Sequence, residues 1–323
     1  MLSPAEVGYD LTRYAQEWQS ERLRLTRTLA LRVAQKASSR AIHDIRVTCR
    51  RLREAIAFFQ GVPEVPPLSD VGRAARRMAR AVGRLRELDV SIKRLRDLDT
   101  TSSREADRVK KDLLAALQRQ RRNAARKRRT RIVKRAVKLQ AVIAENLPLR
   151  VRPRATEVDA ARESELRAFV EARVAARRVD VENLFDTFLQ QGDKMEPSRR
   201  AKQLHRIRVA IKHWRYTSEI ARAIMPRVLY RPLAAKLKNL QELGGRSQDF
   251  TDLAKIVEKE LLAGEPTPNG RRVLAKVRSA RTLAANEFFE ALRLLRPSVH
   301  AASEREPRSS RRHSKPSSVG PNL

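Results

Sequence analysis

The chain has 323 residues, of which 41% are hydrophobic and 33% charged, so it is long enough to bury a substantial core. Lys and Arg number 71 against 37 acidic residues, and the resulting net charge of +34 predicts a polyanionic partner. A single cysteine excludes an intramolecular disulfide. The sequence shows no signal peptide and no apolar run of the roughly 20 residues that a membrane span needs, so we expect a cytoplasmic protein.

Helical patterns fill almost the whole chain, because Gly is scarce, at 10 residues, and alternating strand patterns are missing. The predicted helices are 11–36, 38–61, 69–98, 103–146, 157–191, 198–224, 232–262 and one that ends near 297. A linker at 147–156 separates four helices from the next four, which predicts two four-helix bundles, one in residues 1–150 and one in 157–296. The Ser- and Pro-rich residues 297–323 predict a disordered basic tail.

Two of these helices carry the same basic motif, 162 residues apart. The first copy, His43–Arg53, reads HDIRVTCRRLR, and the second, His205–Arg215, reads HRIRVAIKHWR. A second motif keeps the same offset, with GRLRE at 83–87 and GRSQD at 245–249. One offset shared by two separate motifs indicates that the chain contains an internal repeat.

Each motif helix has an apolar face and, on its flank, a basic face. At 100° per residue, Ile45, Cys49 and Leu52 fall on the first apolar face, and Ile207 and Ile211 fall on the second. The basic faces lack the interleaved Glu of a salt-bridged surface helix, so we expect them to line a groove that binds an anion. The candidate residues are His43, Arg46, Arg50 and Arg53 in the first copy and His205, Arg208, Lys212 and Arg215 in the second.

The third predicted helix adds a further row of cations at helical spacing. Its members are Arg73, Arg76, Arg77, Arg80 and Arg84. At the offset of 162 residues only Lys238 and Arg246 are basic, while Asn239 and Glu242 replace two of the arginines. The sequence therefore predicts that the first half binds an anion more strongly than the second.

The fourth predicted helix contains a stretch with no acidic residue between Asp112 and Glu145. Residues 119–138 include eleven Lys or Arg. This stretch is either a second polyanion contact or a solvated face. The candidate contacts within it are Arg121, Arg122, Arg126, Arg128 and Arg129.

Two interpretations of the motif histidines stay open: a neutral ring in a helix–helix hydrogen bond, or a ring that donates to phosphate. The chain has five His, none in His-x-x-x-His spacing, and a single Cys, which predicts no metal site and no cofactor. No phosphate-binding Gly-rich loop and no nucleophile elbow occurs, and Glu163–Arg167 only approximates the Glu-x-Glu-x-Lys signature of triphosphate-processing strands. The sequence therefore predicts a protein that is not an enzyme.

The paired His-x-x-Arg-x-x-x-(Arg/Lys)-x-x-Arg helices, each followed by a Leu-rich helix with Gly-Arg-x-x-(Asp/Glu), resemble the CHAD family, the conserved histidine α-helical domains. The resemblance covers roughly residues 10–296. It implies two four-helix bundles related by a pseudo-twofold axis, with a basic central groove or channel that binds inorganic polyphosphate. It also implies association with polyphosphate granules and their proteins. By the same resemblance, the acidic motif positions Asp89 and Asp249 fix arginine side chains.

Three functions remain in competition on the sequence alone. The first is non-catalytic polyphosphate binding, which needs closely spaced cations and no stacking rings, in agreement with 4% aromatic residues. The alternative is a nucleoid protein that binds DNA or RNA through residues 119–138 and the tail, since phosphate contacts are sufficient for duplex binding. An enzyme that shortens polyphosphate is a third reading, and it requires Mg²⁺ and a carboxylate cluster.

Overall fold

The computed structural model describes residues 11–100, 103–147, 160–191, 195–222, 224, 227–261 and 267–294. These residues form nine α-helices and no strand, which confirms the predicted all-α class. The predicted tail at 297–323 and most of the predicted linker lie outside the described residues. The helices are α1 Leu11–Gln35, α2 Ser39–Phe58, α3 Ser69–Ala81, α4 Gly83–Arg96, α5 Arg104–Glu145, α6 Ala160–Gln191, α7 Pro197–Ala221, α8 Arg227–Leu261 and α9 Pro268–Arg293.

Side-chain caps fix where three of the helices begin. The hydroxyls of Ser38, Ser103 and Thr267 accept hydrogen bonds from backbone amides three residues later, at the starts of α2, α5 and α9. Each bond satisfies an amide that has no partner inside the helix. The starts of α2 and α5 lie one residue after the predicted starts at residues 38 and 103.

The third predicted helix is broken in two between α3 and α4. Val82 leaves the helical conformation, and α4 begins at Gly83. One turn before the break, Arg46 of α2 donates through Nη1 to the Ala79 carbonyl at 2.7 Å. A side chain that occupies a helix carbonyl interrupts the hydrogen-bond ladder, which explains why a single helix was the wrong expectation for residues 69–98.

The corresponding part of the second half, α8, runs on without a break and packs closely at one glycine. A Cβ at Gly244 would lie 2.9 Å from two ring carbons of Phe288 and 3.1 Å from Arg208 Cγ. A Cβ at the next residue, Gly245, would meet nothing within 4 Å. Gly244 therefore lets α8 approach α7 and α9, whereas Gly245 only weakens the helix.

Substitution by Ala should change the free energy of unfolding in opposite directions at Gly244 and Gly245. We expect Gly244→Ala to lower the free energy of unfolding by about 1–2 kcal/mol, because the methyl group overpacks the Phe288 ring. Gly245→Ala should raise it by up to about 1 kcal/mol through helix propensity. Urea denaturation of both variants checks this pair, and a loss of stability at Gly245 equal to that at Gly244 would refute the close approach.

Three hydrophobic cores hold the helices together. One lies within α1 to α5 and contains Ile45, Leu52 and Met78. Another is centred on α6 to α9 but also takes Tyr14 of α1 and Phe58 of α2. The third joins α4 and α5 to the C-terminal half of α8 and the start of α9. Two of the three cores therefore draw side chains from both halves of the chain.

A buried carboxylate also joins the two halves. Glu54 of α2, only 4% exposed, accepts hydrogen bonds from Arg177 of α6 at 3.1 Å and from Thr217 of α7 at 3.3 Å. His213 of α7 is its third partner. A buried charge is tolerated when it is paired and hydrogen-bonded in this way, so the network fixes α2 against α6 and α7.

Within the described parts of the chain, none of the helices combines the length and apolarity that crossing a bilayer requires.

Candidate anion-binding site

The basic faces of α2 and α7 lie next to each other, because these two helices pack together between the halves. Their apolar faces turn into the cores, where Ile45, Cys49, Ile207 and Ile211 are fully buried. On the flanking basic faces, Arg53 and the two motif histidines are exposed. The remaining cations are half-buried: Arg46, Arg50, Arg208, Lys212 and Arg215. The structure thus brings together one basic face from each copy of the repeated motif.

Arg50 lies at the centre of this arrangement. Its charge contributes to lowering the pKa values of Arg46 on its own helix and of Arg208 and Lys212 on α7. Its Nη1 lies 3.4 Å from the Tyr216 hydroxyl, to which it donates. Arg46, Arg50, Arg208 and Lys212 are called the cation cluster below.

The two arginines beside Arg50 are held in an environment that opposes their charge. Burial, followed by repulsion from Arg50 and Arg86, lowers the pKa of Arg46. Burial and then Arg50 also lower the pKa of Arg208. Arg208 Nε is buried and has no hydrogen-bond partner within the described residues. Both guanidiniums stay protonated at neutral pH, so each gives the cluster a permanent charge.

Lys212 is the most perturbed member of the cluster. Burial, with repulsion from Arg208, Arg50 and Arg46, lowers the pKa of its ammonium group from 10.5 to about 7. Among the described residues, Asp249 is the acid that acts against this shift, and it is already engaged by Arg94 at 3.0 Å. The unliganded cluster therefore carries more positive charge than its surroundings compensate, which is the condition for binding an anion.

Cations from α3 and α4 continue the cluster along α2. Burial and then the charge of Arg76 lower the pKa of Arg53, so the electrostatic field of the cations extends from α2 to α3. Arg86 of α4 acts in the same way on His43 and Arg46. Sequence reasoning missed Arg86, because an unbroken helix would have put Arg84 on the face of Arg73 to Arg80. The break after Ala81 changes which residue of α4 faces α2.

The other predicted cations of α3, α4 and α8 lie outside the cluster. Arg77 and Arg80 are exposed, Arg73 pairs with Asp70, and Arg84 pairs with Glu87 at 3.4 Å. On α8, Lys238 lies 3.9 Å from Glu242, and Arg246 pairs with Glu287 of α9. The second half therefore contributes fewer uncompensated cations from its third helix than the first half does.

A cavity of about 490 Å³ opens beside the cluster, between α1, α2, α7 and α8. His43 lines it, as do Arg51 and Arg215, which both pair with Glu219, at 3.0 and 2.9 Å. Tyr216 also lines this cavity and accepts from Arg50, so the cavity borders the cluster. Arg215 is thus compensated by an acid, unlike Arg208 and Lys212 on the same helix.

The two motif histidines have different surroundings. Burial, then Arg86, lowers the pKa of His43 below its ordinary value of 6.5, so its ring is largely neutral at pH 7. His205 Nδ1 lies 2.9 Å from Gln248 Oε1 on α8, in a helix–helix hydrogen bond. Asp89 and Asp249 both hold arginines, Arg121 and Arg94, in ion pairs at 3.0 Å.

The basic stretch of α5 separates into one inward-facing arginine and an exposed surface. Arg121 donates to Asp89 at 3.0 Å and to the Ala37 carbonyl at 2.8 Å, so it fixes α5 to the adjacent elements. Arg122, Arg126 and Arg129 are exposed, and Arg128 is half-buried. Only the exposed members are free to meet a partner across the surface of α5.

No group of three or more His, Cys, Asp or Glu side chains that could hold a metal ion occurs in the parts of the chain that the structure covers. Acids that act on the cluster include Asp249 and Asp252, which raise the pKa of Arg208, and Glu87, which raises that of Arg46. Asp252 accepts from Gln248 at 2.9 Å and Asp249 from Arg94. The chemistry of this site is therefore that of guanidinium and amine groups, which bind phosphate oxygens.

A family model for the CHAD domain matches residues 18–258, about three quarters of the chain. The chain belongs to the CHAD domain family. The match runs from within α1 to most of α8 and so includes both copies of the repeated motif. The resemblance first seen in the two histidine helices is therefore confirmed at the level of the family.

Two solved structures share the fold of this CHAD domain. One is the crystal structure of the CHAD domain from the plant Ricinus communis, with a TM-score of 0.56, 20% identity, and coverage of 93% of this chain and 94% of that one. The other is PptA from Streptomyces chartreusis, with a TM-score of 0.52, 15% identity, and coverage of 88% and 100%. No curated protein matches the chain. At these identities the structural likeness concerns the fold.

Proposed function

We propose that the chain binds inorganic polyphosphate at the cation cluster and does not hydrolyse it. The observation that carries this proposal is the uncompensated charge between α2 and α7, where burial and neighbouring arginines lower the pKa of Lys212 to about 7. The cations of the cluster repel one another, and a bound anion would offset this repulsion. Membership of the CHAD family supports the ligand, because the family is associated with polyphosphate binding.

The shape of the cationic surface suits a flexible chain of phosphates. From the cluster, cations continue to Arg53 and Arg76 in one direction and to Arg86 beside Arg46 and His43 in another. Polyphosphate has about one charge per phosphate and no bases, so it requires closely spaced donors and no aromatic platform. We include Arg77 and Arg80, which are exposed on the same helix as Arg76, as outer contacts.

The architecture we propose is a pair of four-helix bundles that pack around this groove. The helices correspond in chain order at the offset of 162 residues: α1 with α6, α2 with α7, α3 and α4 with α8, and α5 with α9. A pseudo-twofold axis between α2 and α7 would bring the two motif copies together at the cluster. Residues 1–150 and 157–296 are then halves of one unit, since two of its three cores are shared.

Binding without turnover suits a scaffold or an anchor at polyphosphate granules in the cytoplasm, where granule proteins would be additional partners. The non-catalytic assignment rests on the acids near the cluster, because Asp249, Asp252 and Glu87 are each engaged by a side chain other than a cluster member. Metal-assisted phosphoryl transfer requires carboxylates that are free to hold Mg²⁺ against the substrate.

The proposal is tested with polyphosphate chains of defined length at fixed salt. We expect saturable binding by the purified chain, and we expect the bound chains to keep their length on a gel after prolonged incubation with Mg²⁺. If the purified protein does not bind polyphosphate, the proposal that polyphosphate is the ligand is wrong. Shortening by the wild type but not by a variant that lacks the Arg50 and Lys212 charges contradicts the absence of catalysis.

A further inference from the structure

The exposed surface of α5 is a second strongly cationic region, and it does not belong to the cation cluster. Between residues 119 and 138 eight Lys or Arg side chains are exposed. They are Arg119, Arg122, Arg126, Lys127, Arg129, Arg131, Lys134 and Lys138. This set is called the α5 cationic face. The helix packs against α1, α3, α4 and α9, whereas the cluster lies between α2 and α7.

The cations of this face are not used inside the protein. Each ion pair and side-chain hydrogen bond that α5 makes between residues 119 and 138 belongs to Gln120 or Arg121, within the part of the chain that the structure covers. In the sequence no acid occurs between Asp112 and Glu145. Solvated helix faces normally alternate charges of both signs, and like charges at this spacing destabilise a helix. The face therefore retains its full charge for an external partner.

The helix that carries these cations is rigid and continuous. α5 runs through 42 residues, and the side opposite the cations buries Ile132, Ala136 and Leu139 in a core. At 1.5 Å per residue, the span from Arg119 to Lys138 is about 28 Å. The face is thus a fixed row of charges rather than a mobile arm, and it presents them along a nearly straight line.

The cations fall into two rows along the helix. At 100° per residue, one row contains Arg119, Arg122, Arg126 and Arg129, and the other contains Lys127, Arg131, Lys134 and Lys138. Between the rows runs an exposed strip of uncharged residues at a spacing of seven, formed by Asn123, Thr130 and Val137. Two rows of cations separated by a neutral strip match two lines of negative charge.

We propose that the α5 cationic face binds the sugar-phosphate backbone of a nucleic-acid duplex, with one row of cations along each strand across a groove. A duplex is a rigid rod with a charge about every 1.7 Å of its axis, so a 28 Å contact offers about 16 phosphates to the eight cations. The contact is to phosphates, so it carries no sequence specificity.

Two other partners fit this face less well. A helix that lies in a membrane surface buries apolar side chains in the lipid, and Val137 is the only exposed large hydrophobic residue among the described residues of α5. A single strand needs aromatic rings on which its bases stack, and residues 119–138 contain none. A duplex matches the charge and the rigidity of the face, and it requires neither apolar side chains nor aromatic rings.

The test measures binding of a labelled 24-base-pair DNA duplex by fluorescence anisotropy between 0.05 and 0.3 M salt, a range chosen around the expected salt effect. For the wild type we expect log K to fall with log salt at a slope of about −5 to −7. The variants Arg122→Gln/Arg126→Gln/Arg129→Gln and Lys127→Gln/Arg131→Gln/Lys134→Gln each remove three charges from one row. Each should reduce the slope by about 3 and the affinity at 0.1 M salt by about 10²-fold.

The control variant, Lys236→Gln/Lys255→Gln/Arg271→Gln, removes three exposed charges from α8 and α9. Equal losses of duplex affinity in the control and in both row variants would overturn the proposal. Binding of anionic vesicles in preference to the duplex would also overturn it. An RNA duplex of the same length tells a general duplex site from one restricted to DNA, and a single strand should bind more weakly than either.

Polyphosphate binding by the row variants separates this inference from the proposed function. We expect both row variants to keep the wild-type affinity for polyphosphate within a few-fold, because the cluster is unchanged. If the protein binds the duplex but not polyphosphate, the proposed function is wrong and the inference about α5 stands. If it binds polyphosphate at the cluster but not the duplex, the inference about α5 is wrong and the proposed function stands.

Discussion

The double variant Arg50→Gln/Lys212→Gln is expected to lower the affinity for polyphosphate by about 10³-fold. Arg50 lies at the centre of the cation cluster, and Lys212 is its most perturbed member. A hydrogen bond to a charged group contributes about 1.5–3 kcal/mol, so losing two such contacts costs on the order of 10²–10⁴ in affinity. Titration calorimetry at fixed salt measures this loss.

The matched control is Lys236→Gln/Lys255→Gln, which removes the same net charge from exposed positions on α8. It should weaken binding only a few-fold, through the general field of the protein. Circular dichroism establishes that both variants keep the helical fold. If the two variants lose the same affinity, polyphosphate is bound by total charge and not by the cluster.

The single variant Lys212→Met is expected to make the unliganded protein more stable at neutral pH. Because the pKa of Lys212 falls from 10.5 in the unfolded chain to about 7 in the folded one, the folded state binds this proton less well. The full difference corresponds to roughly 5 kcal/mol, and about 2 kcal/mol remains after allowance for screening by water. Removing the amine should therefore raise the free energy of unfolding by about 2 kcal/mol.

Because the pKa of Lys212 is lowered in the folded state, the stability gain from Lys212→Met should depend on pH. Below pH 7 the amine is charged in both states, so the gain from Lys212→Met is complete there. As the pH rises from 7 to 10.5 the wild type loses its penalty and the gain should fall to zero. Denaturant unfolding at pH 6.5 measures the full gain, and unfolding at pH 9.5 measures it after most of it has been lost. A variant that is less stable than the wild type at pH 6.5 would show that Lys212 is not electrostatically strained.

The same amine should link polyphosphate binding to pH. A bound anion raises the pKa of Lys212, so the protein takes up a proton on binding, and affinity should fall by up to about tenfold per pH unit above pH 7. Lys212→Arg keeps its charge throughout and should show a flat profile between pH 7 and 9. His43 is largely neutral at pH 7 in the free protein, and it is present in both the wild type and Lys212→Arg, so the difference between their two profiles isolates Lys212. Equal slopes in the wild type and Lys212→Arg would contradict the linkage.

Most of the helices could be predicted from the sequence, because their boundaries depend on local signals. Ser38 and Ser103 cap α2 and α5 as their positions indicated. The break between α3 and α4 could not be predicted in this way. It accompanies a hydrogen bond from Arg46 to the Ala79 carbonyl, 33 residues away in the chain, and no periodicity within residues 69–98 records such a contact.

For the candidate site, the periodicity of the motif correctly separated core positions such as Ile45 and Ile211 from the flanking cations. It could not show which cations are compensated by acids. Arg215 pairs with Glu219 one turn later, whereas Arg121 pairs with Asp89 of another helix. The identification of Arg86 also required the structure, because it depends on how α4 is rotated after the break.

The measurement that tests the central claim most directly is a crystal structure of the chain with a polyphosphate chain bound. We predict phosphate oxygens within hydrogen-bonding distance of Arg50, Arg208 and Lys212, and further phosphates that follow Arg53 towards Arg76. A polyphosphate chain that lies along α5, with the contact between α2 and α7 unoccupied, would contradict the account.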